Sequence, residues 1–115
     1  MTSPPTVGIG PFVVGEIPAP LAYDFQEFDG TVLDLSGYTV KFYYREKFDQ
    51  TAATRSAVLQ PSANKGRVVY SWTGTDLVSP GHYSAQFFAG NGVQRYASNL
   101  ITFDVASAVG PIPAI

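Results

Sequence analysis

One segment restricts the fold more than any other: residues 66–83, GRVVYSWTGTDLVSPGHY. Val68, Tyr70 and Trp72 recur at period two with Val69, Ser71 and Thr73 between them. That alternation is the pattern of a strand with one buried face. Asp76, Leu77, Pro80 and Gly81 break the run, and Tyr83 opens a second one with Ala85 and Phe87 on its own face. A tyrosine just after a Pro-Gly corner fits a tyrosine corner, in which the phenol reaches back to the backbone where the chain passes between sheets.

The same grammar recurs along the chain. Residues 21–28 place Leu21, Tyr23 and Phe25 on one face and then meet Asp29-Gly30, a strong hairpin signal that predicts a return strand over residues 31–35. Ser36-Gly37 turns the chain into residues 38–47, YTVKFYYREK, where Val40, Phe42 and Tyr44 oppose Thr39, Lys41, Tyr43 and Arg45. Residues 49–56 read as a polar loop, and residues 56–60 as a short strand before Pro61. Asn91-Gly92 is a second hairpin signal, predicting a return over residues 93–105 with Ile101, Phe103 and Val105 aligned. No stretch sustains a helical period. About seven or eight short strands punctuated by turns specify an all-β sandwich or barrel, and the corner at Tyr83 favours the sandwich.

Composition narrows the function classes. A chain of 115 residues makes one domain, burying about two thirds of the surface its unfolded form exposes. A net charge of −2 offers no footprint for nucleic acid. Cysteine is absent, which removes disulfides, thiolate chemistry and the usual structural zinc sites. The N-terminus lacks a basic region and is broken by proline and glycine, so it does not read as a signal peptide. No apolar run approaches the ~20 residues of a membrane span. The expectation is a chain made and folded in a cytosol, binding neither nucleic acid nor membrane.

Both ends read as extended arms. Residues 1–19 carry four prolines and three glycines among apolar side chains, Val7, Ile9, Phe12, Val13, Val14 and Ile17. Proline excludes a helix or a central strand there, yet the apolar content argues against simple disorder. Such an arm is expected to lie on its own domain, with residues 12–14 as a short edge strand, or on a neighbouring subunit. Residues 106–115 are similar in character, with Val109, Ile112 and Ile115. The organisation is then an arm over 1–19, a sandwich over 20–105 and an arm over 106–115. Deleting residues 1–19 is expected to abolish assembly and spare folding.

Little in the sequence promises chemistry. His82 is the single histidine and sits at a corner with no nucleophile-bearing motif near it. Asp24, Glu27, Asp29 and Asp34 surround the first hairpin without the spacing of a calcium loop. The glycines near positions 8–10 and 74 lack the strand-to-helix setting and lysine of a phosphate cradle. No catalytic, cofactor-binding or metal-binding residue is assigned, and no enzyme is expected. The pairs Tyr43-Tyr44 and Phe87-Phe88 each send one ring to either face of a strand. Tyr43, Phe88 and Tyr96 are therefore candidate surface aromatics for contact with protein or sugar.

The order of these features resembles the N-terminal domain of the baseplate upper proteins of tailed bacteriophages. The similarity rests on Asp29-Gly30, on residues 33–37 (LDLSG) and 39–44 (TVKFYY), and on the G-x-V-x-Y-x-W strand of residues 66–72. It continues through Asp76, the G-x-Y of residues 81–83 and the closing F-x-V of residues 103–105. It implies an immunoglobulin-like antiparallel sandwich serving assembly in a virion, with other virion proteins as partners, a homo-oligomer or symmetric array, and construction in the host cytoplasm. Family chains continue into stalk and receptor-facing parts, whereas this one runs ten residues past the sandwich. The expectation is therefore a small accessory subunit, a capsid decoration or cement protein ahead of a tail or baseplate component. The alternative of another class is a carbohydrate-binding or adhesion module.

Overall fold

The computed structural model describes residues 7–26, 30, 33–48, 53–59 and 66–110. Among them no residue is helical. The strands are β1 (Val7–Val13), β2 (Leu21–Asp24), β3 (Thr39–Glu46), β4 (Ala53–Ser56), β5 (Val58–Leu59), β6 (Arg67–Tyr70), β7 (Gly81–Gly90), β8 (Arg95–Ala97) and β9 (Ile101–Ala106). The larger sheet runs β1-β9-β7-β3-β4, with β8 also paired to β7, and the smaller runs β2-β6-β5. Every pairing is antiparallel except β1 with β9.

The core lies between the two sheets, and aromatic rings fill most of it. Val40, Phe42 and Tyr44 of β3 and Tyr83, Ala85, Phe87 and Ala89 of β7 are buried, the alternation their period-two spacing requires. Phe42 stacks on Tyr70 of the opposite sheet with ring centroids 4.5 Å apart. Trp72 lies beyond the end of β6 but keeps the inward face of Val68 and Tyr70. Its ring meets Phe42, Tyr70 and Phe103 edge-on at 5.8, 5.4 and 5.6 Å, a geometry that sets the positive edge of one ring against the negative face of another. The Tyr83 hydroxyl donates to the Ser79 carbonyl at 2.8 Å, so the corner read from the sequence is formed.

Four expectations change. Residues 49–56 do not all form a loop, because Ala53–Ser56 is the edge strand β4, paired antiparallel with β3. Its polarity concealed it: Ala53 packs on the core and Arg55, which should face water, turns toward a buried carboxylate. Of the return strand expected over residues 31–35, residues 33–35 form no strand and residues 31 and 32 lie outside the described residues. The Leu33 amide donates to the Phe25 carbonyl and Leu35 is buried, while β2 finds its ladder on β6. Asp29 of the expected turn lies outside the described residues, and Gly30 has φ +87°.

The return over residues 93–105 is two strands, because the chain breaks at Ser98. That buried side chain accepts the Phe87 amide at 2.9 Å and donates to the Asn99 carbonyl at 2.8 Å, filling the gap along β7 between its pairings with β8 and with β9. Lastly, the edge strand expected over residues 12–14 spans Val7–Val13 and joins the larger sheet. Its register on β9 shifts between Ile9 and Phe12, at Gly10 with φ +83°. The Val14 amide then donates to Ala106 and the Gly15 amide to Leu77, tying the segment to both its neighbours.

Candidate functional site

Two places concentrate polar or aromatic groups: a carboxylate inside the sandwich and the outer face of the larger sheet. Asp76 follows Trp72 on the crossing from β6 to β7, and its side chain is fully buried. Tyr70 and Tyr44 donate to it at 2.6 and 2.7 Å. The Thr73 amide and hydroxyl donate at 2.8 and 3.3 Å and Arg55 Nε at 3.0 Å. Arg55 Nη2 also donates to the Tyr44 hydroxyl at 3.2 Å, and its guanidinium lies over the Tyr44 ring.

Burial pushes the Asp76 carboxyl up, but the hydrogen bonds from Tyr70, Thr73, Tyr44 and Arg55 outweigh it and hold the group below the ordinary carboxylate range. The same contacts act oppositely on the phenols. Burial and then the bond to Asp76 push Tyr44 up to about 12 and move Tyr70 further in that direction. Five hydrogen bonds donated to one carboxylate leave no lone pair directed at a substrate. The arrangement joins β3, β4, β6 and the crossing loop, and its role is to hold them in register. Sequence reading found Asp76 as a breaker of the strand and missed this. The available signal was a lone acid between Trp72 and Leu77 in a charge-poor stretch.

His82 stands opposite Asp104 on the pair β7/β9, and its Nδ1 hydrogen-bonds that carboxylate with both side chains exposed. Among the described residues no group of three or more histidine, cysteine, aspartate or glutamate side chains is placed to hold a metal.

The outer face of the larger sheet carries two of the predicted surface aromatics. Tyr43 is 38% exposed, and its ring contacts that of half-buried Phe88 at 5.1 Å. Leu100, also 38% exposed, joins them with Arg45, Ser84 and Gln86 around a shallow hollow. Tyr96 is elsewhere: its ring stacks on Tyr38 at 5.9 Å, and both hydroxyls donate to Gln94. Of the arm residues, Ile9, Phe12 and Val14 pack on the chain's own core, with Phe12 against Trp72 and Phe103. Val13 is half-buried, whereas Ile17 and Val109 are exposed. Val7 lies in β1 opposite Ile101; Ile112 and Ile115 lie outside the described residues.

The architecture thus defines an all-β, two-sheet domain whose internal charge is consumed in holding the sheets together. The family described as the BppU N-terminal domain matches residues 27–110, and the chain belongs to it. It is therefore a domain of the phage baseplate upper protein type, a structural virion component whose partners are other virion proteins. β1 and β2 precede the matched residues. No curated protein matches the sequence.

Proposed function

We propose that this chain is a structural, non-enzymatic subunit of the baseplate or tail of a tailed bacteriophage, built as an immunoglobulin-like sandwich that binds neighbouring virion proteins. The observation that carries the reading is the family match over residues 27–110, which favours the baseplate over the capsid decoration expected from the sequence. The immunoglobulin-like assignment is supported by the strand orders β1-β9-β7-β3-β4 and β2-β6-β5 and by the Tyr83 corner. The subunit needs no cofactor, is assembled in the host cytoplasm, and repeats with the symmetry of the particle. Immunogold electron microscopy with antibody to this chain tests the location. Label at the tail tip of purified particles is expected; label over the head would restore the decoration reading, and unlabelled particles would refute a virion role.

A further inference from the structure

We infer that the outer face of the larger sheet, centred on Tyr43, Phe88 and Leu100 and flanked by Arg45 and Lys41, is the face that docks a neighbouring virion protein presenting an apolar side chain ringed by carboxylates. The inference rests on the baseplate reading and adds the docking surface and the chemistry of its partner.

Strand register fixes the pattern. On this face Lys41 stands opposite Phe88, Tyr43 opposite Gln86, and Arg45 opposite Ser84. Two rows of side chains therefore place the aromatic pair and Leu100 at the centre with a cation on either side. Arg45 is exposed and makes no ion pair among the described residues, and Lys41 reaches only the Ser56 hydroxyl at 3.4 Å. Among the described residues the acid on this face is Asp104, which hydrogen-bonds His82 and makes no ion pair with Lys41 or Arg45. A chain of net charge −2 thus shows an uncompensated basic rim around an apolar centre, the layout of a docking patch. The complementary surface is acidic at its rim and apolar in the middle.

Charge also decides between occupants. A second copy using the same face across a two-fold axis would set Lys41 and Arg45 against their own equivalents, like charges that oppose association. A saccharide prefers a flat platform, whereas the Tyr43 and Phe88 rings are inclined at 56°. A foreign acidic protein surface meets neither objection.

The test uses particles formed when the full chain is supplied in trans to phage lacking its gene, with the incorporated chain quantified by mass spectrometry. Arg45→Glu and Tyr43→Ser are each expected to reduce incorporation by at least about tenfold, and Arg45→Lys by no more than about threefold. Unchanged thermal melting of the purified variants separates docking from folding. Carbodiimide treatment of wild-type particles is expected to join the Lys41 amine to a carboxylate of another virion protein, a product absent from Lys41→Arg. Normal incorporation of Arg45→Glu and Tyr43→Ser would overturn the docking face while leaving the baseplate reading intact. A Lys41 cross-link to a second copy would overturn the foreign partner, and Tyr43-dependent binding of the purified chain to cell-wall polysaccharide would overturn it in favour of sugar. Particles without the wild-type chain would overturn the baseplate reading and this inference with it.

Discussion

The Tyr70 hydroxyl donates to the Asp76 carboxylate at 2.6 Å, joining the end of β6 to the crossing that follows it. Tyr44 and Arg55 converge on the same carboxylate from β3 and β4, so one side chain couples the two sheets. A buried charge is tolerated when donors surround it, and it becomes costly when they are left facing an empty site.

Asp76→Ala is therefore expected to destabilise the fold by about 3–5 kcal/mol, since it strands two phenols, a backbone amide and a guanidinium. Arg55→Met should cost far less, about 1 kcal/mol, because Arg55 is partly solvated and the hydrogen bonds from Tyr44, Tyr70 and Thr73 remain. Urea denaturation of both variants measures the difference, and equal losses would refute the ranking.

The same contacts make stability fall at both ends of the pH scale. Asp76 titrates below its ordinary 3.8 when folded. Its contribution is complete above the unfolded value and is lost as pH falls through the folded one. Tyr44 rises from 10.0 to about 12, so its contribution is present below 10 and disappears between there and about 12. Thermal melts across the acid limb should be flatter for Asp76→Asn than for wild type, and across the alkaline limb flatter for Tyr44→Phe. Parallel curves would mean these groups are not coupled to folding.

Tyr83→Phe keeps the ring against Phe103 and removes the bond to Ser79. A loss of about 1 kcal/mol is expected, lowering Tm by about 4 °C. An unchanged Tm would show that the corner contributes through its ring alone.

These residues also mark where sequence reasoning works. Val40, Phe42, Tyr44, Val68, Tyr70, Trp72, Ala85 and Phe87 point inward as their alternation requires, and the Tyr83 corner follows from Pro80 and Gly81 beside it. Local periodicity and turn chemistry decide such features. Strand β4 was hidden because Arg55 is polar, and its inward position depends on Asp76, 21 positions away. The outer cluster of Tyr43, Phe88 and Leu100 was legible only in its two rings, because Leu100 arrives by the break at Ser98, and the cations matter only once register aligns them.

The N-terminal segment shows how a terminal arm differs from a terminal strand. An arm waiting for a partner can be removed without harm to the fold, which is what its proline and glycine content led the sequence to suggest. Here Phe12 covers Trp72 and Phe103 at 5.7 and 5.8 Å, and β1 supplies the outer ladder of β9. Deleting residues 1–14 would open that aromatic cluster to water and leave β9 as an unpaired edge, a template for aggregation. The expected cost is at least about 2 kcal/mol of stability, accompanied by a red shift of Trp72 fluorescence in the folded protein. Phe12→Ala should reproduce much of the spectral change while keeping the strand. If the truncated chain melts like the full-length one with unshifted emission, residues 7–13 do not hold the core closed in solution, and the segment acts as a free arm after all.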